Sequence, residues 1–170
     1  MMHRIPTFLI FFAVICSASA QAGTVFKGLP MALDFYSDAT LARNSGRPIM
    51  VFFAAEYCGY CEIVSELYLR PMHESGSHED RILLRVVQTD NEAARLIGFD
   101  GKRTDHYNFA TRNAASITPT IKFYGPDGQE LVPEIFGYSS PDFWGLYLEQ
   151  SINQAVSLLR HQSSKQISGL

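Results

Sequence analysis

The run Val51-Phe52-Phe53-Ala54-Ala55-Glu56-Tyr57-Cys58-Gly59-Tyr60-Cys61 decides the fold, because it joins an apolar segment directly to a cysteine pair. Residues 49–55 are almost wholly apolar, a pattern typical of a strand that is buried on both faces. Residues 62–69 carry apolar side chains at helical spacing, which predicts a helix there. The two cysteines are therefore predicted to lie between a buried strand and the first turn of a helix.

This position favours reactive cysteines. Unpaired N–H groups and the positive end of the helix dipole stabilise a thiolate at a first helical turn. Helix starts and Cys-x-x-Cys motifs lower a cysteine pKa from about 8.5 to between about 3.5 and 7.5. The thiolate is the nucleophile in disulfide exchange, so we predict that Cys58 attacks a substrate disulfide. Cys61 lies nearly one turn later and is expected to be more buried, where it resolves the mixed disulfide. Gly59 leaves the approach open, and Tyr60 helps to set the redox potential.

A zinc site is the alternative explanation for the cysteines. Cys58, Cys61, His73 and His78 read C-x2-C-x11-H-x4-H, which is close to the spacing of a zinc finger. A finger, however, places its cysteines on a hairpin, whereas here the helical pattern begins at the cysteines and Pro71 precedes His73. A chain with a large core also does not need a metal to fold. We therefore expect no metal, and we expect the two histidines to be solvated loop residues. Further titratable residues expected at the surface are Asp90, Glu92, Asp105 and His106.

Length and composition favour one globular domain. The chain has 170 residues, of which 46% are hydrophobic, and its formal net charge is −3. The 14 lysines and arginines are scattered and form no basic block, so no nucleic-acid partner is expected.

The N-terminus has the three parts of a secretory signal peptide. A short basic start containing Arg4 precedes an apolar run from Phe8 to Cys16, and small residues follow at 17–22. The apolar run has about half of the roughly 20 residues that a membrane span needs. We predict a signal peptide at residues 1–20 or 1–22 and export to the periplasm. Lipidation of Cys16 is a weaker alternative, because the large Ile15 precedes that cysteine.

Cleavage would leave Cys58 and Cys61 as the two cysteines of the exported chain. It would also remove Arg4, leaving 13 basic and 17 acidic residues. An oxidising compartment allows the pair to form a disulfide. Structural disulfides stabilise most when they close long loops, and a gap of two residues restrains very little. The pair is therefore better explained by redox chemistry than by structural cross-linking.

The remaining pattern alternates between helices and strands. It predicts helices at 34–44, 62–69, 104–115 and from Pro141 to about His161, and strands at 82–87, 120–124 and 130–136. Residues 92–103 are left unassigned. Thr104 is the predicted N-cap of its helix, Pro71 is expected to kink or end the second helix, and Pro133 suggests an edge strand. We assign residues 23–162 to one domain and 163–170 to a flexible tail.

Two further motifs complete a family resemblance. Ile117-Thr118-Pro119-Thr120 and the turn Gly125-Pro126-Asp127-Gly128 follow the cysteine stretch in the order found in the thioredoxin superfamily. Residues 31–160 resemble small exported bacterial thioredoxins, including those of sulfur-oxidation clusters, and the catalytic domain of periplasmic disulfide isomerases. The resemblance implies an α/β thioredoxin fold: a central mixed β-sheet of four to five strands with helices on both faces. It also implies a cis Pro119 beside the cysteines, with the Thr118 backbone pairing with a bound substrate chain.

One position departs from the family pattern. Ordinary thioredoxins have a buried aspartate six residues before the first cysteine, and Phe52 occupies that position here. Glu56 is the candidate that could accept the proton of Cys61 through water. The family also has an aromatic residue directly before the motif, and Tyr57 retains it. The simpler explanation for Tyr57 is that its ring packs at the rim of the site.

The predicted function is that of a thiol–disulfide oxidoreductase of the cell envelope, which reduces disulfides of exported proteins and takes electrons from a membrane thiol donor. No cofactor is expected beyond the Cys58–Cys61 disulfide.

Two alternatives stay open: an isomerase or oxidant with the same residues, and a non-catalytic peptide-binding or chaperone module beside Pro119. Periplasmic isomerases carry an N-terminal dimerisation domain, for which the roughly 30 residues before the first helix leave no room. We expect a monomer.

Overall fold

The computed structural model of the chain describes residues 24–139 and 141–168. The predicted signal peptide, at 1–20 or 1–22, lies outside these residues. Among the helices of the described part, none combines the length and the apolar character that crossing a membrane requires.

A four-stranded mixed sheet forms the centre of the molecule, with the strand order β2-β1-β5-β6. The strands are β1 Ile49–Ala54, β2 Leu83–Gln88, β5 Thr120–Tyr124 and β6 Ile135–Phe136. β1 pairs with β2 in parallel and with β5 in antiparallel orientation, so that Phe52 lies opposite both Val86 and Ile121. The predicted mixed sheet is confirmed.

Both faces of β1 are covered, which explains why all six of its residues are apolar and buried. Because strand side chains alternate between faces, Met50, Phe52 and Ala54 pack in one core cluster, and Ile49, Val51 and Phe53 pack in the other. The first cluster contains residues of two helices, α2 (Gly59–Val64) and α5 (Pro141–Ser168). The second contains residues of α1 (Phe35–Ser45) and α4 (His106–Arg112). Helices therefore cover both faces of the sheet, as predicted.

The first helix lies close to its predicted position. The helices are α1 Phe35–Ser45, α2 Gly59–Val64, α3 Arg70–Glu74, α4 His106–Arg112 and α5 Pro141–Ser168. The side chain of Asp34 accepts a hydrogen bond from the N–H of Ser37 and caps α1 at its start. Gly46 ends the helix with a φ of 66°, a left-handed conformation that glycine adopts without strain.

Of the two outcomes predicted for Pro71, an end of the second helix at this residue is wrong. Helical structure runs from Gly59 through a π-helical segment, Ser65–Leu69, and continues past Pro71 to Glu74. The N–H of Arg70 donates to the carbonyl of Ser65, five residues earlier. Proline has no N–H to donate to a carbonyl in the preceding helical turn. The π-helical turn just before Pro71 shifts the hydrogen-bond pairing of the backbone at the point where this donor is missing.

Residues 92–103, which the pattern left unassigned, form most of a hairpin. β3 Arg95–Ile97 pairs with β4 Arg103–Asp105 in antiparallel orientation. Gly98 and Gly101 lie in the connection, where the N–H of Gly101 donates to the carbonyl of Gly98. Gly101 has a φ of 75°, a left-handed conformation that glycine adopts without strain and that this tight turn uses.

The predicted N-cap Thr104 is wrong. Thr104 belongs to β4, and α4 begins two residues later with Asp105 as its cap. The carboxylate of Asp105 accepts a hydrogen bond from the backbone N–H of Asn108. Threonine and aspartate are both common N-cap residues, so residue type alone could not show whether Thr104 or Asp105 is the cap.

Asp105 and His106 are buried, which corrects their expected place at the surface. The Nδ1 atom of His106 accepts from the N–H of Gln88, and Nε2 donates to the carbonyl of Ala32. Burial lowers the pKa of His106. This histidine therefore joins α4 to the sheet as a neutral side chain.

The returning strand is shorter than predicted. Pairing with β5 is confined to Ile135–Phe136, apart from an isolated bridge between Glu130 and Tyr124. Pro133 lies between the bridge and β6, where it cannot donate to a strand ladder. The edge position of the strand is confirmed.

The last helix is longer than predicted, because α5 continues past His161 to Ser168. Residues 163–168, which were assigned to the tail, are therefore helical. The hydroxyls of Ser163 and Ser164 donate to the carbonyls of Leu159 and His161, bonds that form within helical turns.

Candidate active site

Cys58 and Cys61 form a disulfide at the junction between β1 and α2, with their Cα atoms 5.1 Å apart. Cys58 is the N-cap residue of α2 and has an extended backbone, with φ −108° and ψ 100°. Its side chain is half-buried, whereas Cys61 is fully buried. The two sulfurs therefore differ in access: Cys58 faces the outside more than Cys61 does.

The backbone of the helix points a donor at the more accessible sulfur. The N–H of Cys61 donates to Sγ of Cys58 over 3.1 Å. In the reduced protein, the same N–H would stabilise a Cys58 thiolate, because a hydrogen bond to a charged acceptor is stronger than one to a neutral acceptor. Helical structure continues to Glu74, so the whole segment contributes its dipole at Cys58.

The two residues between the cysteines lie at the surface. Gly59 faces open space, since a Cβ added there would meet nothing within 4 Å. Tyr60 is 60% exposed, and its ring centroid lies 6.2 Å from that of Tyr138. Tyr57, just before the motif, is 94% exposed, so it packs against little of the protein. The approach to the disulfide is therefore open and flanked by aromatic rings.

A carboxylate from the turn after β2 fixes the segment that leads into the motif. The backbone N–H of Glu56 donates to Oδ2 of Asp90 over 3.0 Å, and the N–H of Thr89 donates to the carbonyl of Ala54. Asp90 is exposed, as expected, but it is also a structural partner of the site. The sequence contains no signal for this contact, because 34 residues separate the two positions.

Phe52 belongs to the core on the sheet face that also holds Cys61. It is fully buried in the cluster that includes Cys61, with Cys58 packed against its edge. Within the described residues, the buried carboxylates are Asp38 and Asp105. Asp38 is paired with Arg85, and Asp105 caps α4, the helix that packs on the other face of the sheet. Neither can act as the buried acid that Phe52 replaces, and Glu56, half-exposed two residues before Cys58, stays the candidate.

Thr118 and Pro119 lie at the same end of the sheet as the cysteines. Because β5 is antiparallel to β1, the start of β5 pairs with the end of β1, and Cys58 follows from there. The Thr118–Pro119 peptide bond is cis, and the carbonyl of Pro119 accepts from the N–H of Gly137 over 2.9 Å. No backbone–backbone bond in the described chain engages Thr118. The Thr118 backbone is therefore available to a bound chain.

An aromatic cluster supports this end of the molecule, and no sequence signal pointed to it. The rings of Tyr60, Tyr68 and Trp144 each lie within 6.3 Å of Tyr138, centroid to centroid. Trp144 donates its Nε1–H to the carbonyl of Gly137, the residue that also bonds to Pro119. The hydrogen bond to Tyr138, together with burial, raises the pKa of Tyr68. The cluster thus connects the motif residue Tyr60 to α5.

Neither histidine of the zinc alternative is fully solvated, although His78 lies in a turn between elements, as predicted. His73 lies in the last turn of α3, and Nε2 of His78 lies 2.9 Å from Oε2 of Glu149. Both histidines are half-buried. In the part of the chain that the structure describes, no group of three or more histidines, cysteines or acids is placed to hold a metal ion. The cysteines lie at a helix start and are bonded to each other, which is not the arrangement of a finger.

Comparison with known proteins identifies the family. The Thioredoxin-like domain family matches residues 35–152. No curated protein matches the sequence at a significant level. The structure is similar to that of thioredoxin from Fasciola hepatica, with 19% identity, a TM-score of 0.50, and coverage of 75% of this chain and 99% of that one. It is also similar to oxidised mitochondrial thioredoxin 3 from Saccharomyces cerevisiae, with 16% identity, a TM-score of 0.50, and coverage of 76% and 97%.

At these identities the structural matches establish the fold, and the predicted thioredoxin fold is confirmed. A Cys58–Cys61 disulfide in this fold supports thiol–disulfide oxidoreductase chemistry in general. The family match extends over more than half of the sequence, and the chain therefore belongs to the Thioredoxin-like domain family.

Proposed function

We propose that this chain is an exported thiol–disulfide oxidoreductase that reduces disulfides in proteins of the cell envelope. The observation that carries the proposal is the difference between the two cysteines. Cys58 is accessible and its sulfur accepts a helix N–H, whereas Cys61 is buried and bonded to it. This is the arrangement that a nucleophile and its resolving partner need.

The reaction proceeds in two exchanges. In the reduced protein, the Cys58 thiolate attacks one sulfur of a substrate disulfide, whose S–S bond breaks, and the other substrate sulfur leaves as a thiolate. The Cys61 thiol loses its proton, for which Glu56 is the proposed acceptor through water, and attacks Sγ of Cys58. The second substrate thiolate then leaves, and the Cys58–Cys61 disulfide forms. Two electrons pass to the substrate, and the protein ends in the oxidised form that the structure shows.

The surface beside the disulfide suits an extended peptide. The Thr118 backbone has no backbone partner among the described residues, and exposed apolar side chains lie near it: Ile117, the preceding residue, is 62% exposed, and Phe136, which pairs with Thr120, is 53% exposed. A substrate segment can pair with the Thr118 backbone through main-chain hydrogen bonds, while its side chains contact these apolar neighbours. We propose that the substrates are disulfide-bearing exported proteins that bind in this way to a monomer.

An exported reductant needs a supply of electrons, because its compartment oxidises thiols. We propose a membrane thiol protein as the donor, which would reduce the Cys58–Cys61 disulfide after each cycle by the same exchange chemistry. The predicted signal peptide supports this location, and the proposal would fail if the protein were recovered from the cytoplasm with an intact N-terminus.

Trapping tests the proposal. The Cys61→Ser variant should accumulate mixed disulfides between Cys58 and its substrates and donor, because the resolving sulfur is missing. The matched Cys58→Ser variant should trap far less, since the remaining cysteine is buried. Adducts that disappear on treatment with dithiothreitol, identified by mass spectrometry, would support the mechanism. Equal trapping by both variants, or by neither, would contradict it.

The redox potential separates a reductase from an isomerase or oxidant. A value at or below the glutaredoxin range, about −200 to −230 mV, is expected for a reductase. A value near about −120 mV, like that of the strong periplasmic oxidant DsbA, would exclude the proposed direction. A Cys58→Ser, Cys61→Ser double variant that retained full biological function would instead favour a peptide-binding or chaperone module.

A further inference from the structure

The first residues that the structure describes pack onto the core that holds Cys61. Residues 24–29, defined here as the N-terminal strap, begin with a single 3₁₀ turn. The side chains of Val25, Phe26 and Leu29 are buried in the same cluster as Cys61, which is itself fully buried. The strap therefore contributes to the apolar environment that separates the resolving cysteine from solvent.

A buried hydroxyl joins the strap to the helix that carries Cys61. Oγ of Ser65 donates to the carbonyl of Val25 over 2.7 Å, and Ser65 is fully buried. The backbone N–H of Ser65 donates in turn to the carbonyls of Cys61 and Glu62. Two hydrogen bonds through one residue thus connect the strap to the resolving cysteine.

Two further contacts hold the later part of the strap. Nε of Arg70 donates to the carbonyl of Lys27 over 2.8 Å. The carbonyl of Pro30, the residue after the strap, accepts from the N–H of Val86 in β2, also over 2.8 Å. β2 is an edge strand of the central sheet. The strap therefore runs between the helical segment 59–74 and the edge of the sheet.

The strap is built to open without the rest of the fold. It belongs to no strand, and side chains of the helical segment, not a strand ladder, satisfy its carbonyls at Val25 and Lys27. Segments held in this way open locally at a lower free energy than the whole fold. The strap also lies outside the family match, which covers residues 35–152, so it is a feature of this chain beyond the matched domain.

We propose that the strap shields Cys61 and that Ser65 is the positioning residue that holds the strap closed. A cysteine buried in apolar surroundings is a poor nucleophile. With the strap closed, Cys58 makes the attack on a substrate, and Cys61 reacts only with the mixed disulfide that forms beside it. This inference deepens the proposed function and rests on the roles given there to the two cysteines.

Alkylation of Cys61 tests the proposal in the full chain with Cys58→Ser, where Cys61 is the one sulfur of the pair that can react. The rate of iodoacetamide modification is measured by mass spectrometry on the peptide that carries Cys61. Ser65→Ala should raise this rate about fivefold, because it removes a hydrogen bond of the closed strap and so favours opening. Phe26→Ala should raise it further, because it removes a buried side chain of the strap.

Tyr124→Phe is the matched control in the same background. It also removes one buried hydroxyl hydrogen bond, from Tyr124 to Oδ1 of Asn113 over 3.1 Å, but in the cluster on the other face of the sheet. The rate for Tyr124→Phe should equal that of the background chain. The faster reaction of Ser65→Ala should also depend little on urea below the unfolding transition, since local opening exposes little surface. Circular dichroism verifies that each variant is folded.

Equal rates of Cys61 alkylation for Ser65→Ala and Tyr124→Phe would overturn the proposal, because the effect would then come from a general loss of stability. An unchanged rate for Phe26→Ala would overturn it as well. The measurement uses neither a substrate nor an electron donor. It can therefore fail while trapping by Cys61→Ser succeeds, which separates the failure of this inference from the failure of the proposed function.

Discussion

At the scale of single residues, the reactivity of the site depends on the atoms around Cys58. Its sulfur accepts the N–H of Cys61, and Gly59 leaves the space beside it open. The backbone, and not a charged side chain, is the donor that the structure shows at this sulfur. The thiolate should therefore persist when nearby surface charges are changed.

The pH dependence of alkylation tests this stabilisation. In the reduced protein, the reaction of Cys58 with iodoacetamide should reach half its maximal rate below the pH of about 8.5 that is typical of an ordinary thiol. The Cys58→Ser variant is the control, because its remaining cysteine is buried and should react slowly at every pH. A half-maximal rate at about pH 8.5 would show that the helix start does not activate the sulfur.

His106 uses both ring nitrogens in its neutral form. Nδ1 accepts from Gln88, so a proton added there would face an N–H group instead of an acceptor. Burial lowers the pKa of His106 in the folded state. The unfolded chain, with an ordinary histidine pKa of about 6.5, therefore binds the proton more readily as the pH falls.

We expect the folded state to lose stability as the pH falls below about 6.5 and to stop losing it at the lower folded pKa of His106. For one proton the slope cannot exceed about 1.4 kcal/mol per pH unit. Urea unfolding between pH 7 and 5 measures it. His106→Gln should be less stable at pH 7, because it leaves buried backbone partners imperfectly paired, but its curve should be flatter. Parallel curves for the two proteins would contradict a neutral, buried histidine.

At the scale of elements, short helices depend on their caps. α4 has seven residues and is too short to be stable by its own propensity. Asp105 satisfies a first-turn N–H with one carboxylate oxygen, and burial of Phe109 and Ala110 against the sheet supplies the rest. The identity of the capping residue therefore has a measurable effect.

Asp105→Ala should lower the free energy of unfolding by about 1 kcal/mol, within the usual range of 0.5–2 kcal/mol for a lost N-cap. Thr104→Ala is the matched control from the neighbouring position, and it should cost less, because the Thr104 hydroxyl caps no helical N–H. It accepts from the exposed Arg112 side chain and donates to the carbonyl of Asp105 over a long 3.5 Å. Urea denaturation with unchanged m-values measures both. A larger loss of unfolding free energy for Thr104→Ala than for Asp105→Ala would indicate that Thr104, and not Asp105, is the cap.

At the scale of the whole molecule, an ion pair joins the first helix to the sheet. Nε and Nη2 of Arg85 donate to the two carboxylate oxygens of Asp38 over 2.8 and 2.5 Å. Asp38 is buried, and Arg85 keeps about a quarter of its side chain exposed. The contact spans 47 residues and holds α1 against β2.

Arg85→Met should destabilise the fold by about 3 kcal/mol, because it leaves the buried Asp38 carboxylate without its partner. The partial exposure of Arg85 places this figure at the low end of the usual range. The double variant Asp38→Leu, Arg85→Met should recover most of the loss, since no uncompensated charge remains. Guanidinium denaturation measures both free energies. Equal losses in the single and double variants would show that packing, and not charge, explains the effect.

The position of the cysteine pair was easier to predict from the sequence than the contacts that surround it. The apolar run of β1, the cysteine spacing and the helical pattern of residues 62–69 were sufficient to place the cysteine pair between a strand and a helix, since each signal is local. The bond between Asp90 and Glu56, the burial of His106 and the cluster around Tyr138 join residues far apart in the chain. Periodicity and propensity contain no information on such contacts.

The sequence by itself determined the class of fold, the strand–cysteine–helix junction and the approximate order of the elements, because these depend on hydrophobic period, turn residues and the chemistry of a Cys-x-x-Cys pair. Only the tertiary structure decided where helices end and which polar groups are buried. α2 and α3 continue across Pro71 through a π-helical segment, and Asp105 rather than Thr104 begins α4. Such choices depend on which partners the folded backbone brings within hydrogen-bond distance, and packing overrides local propensity at those points.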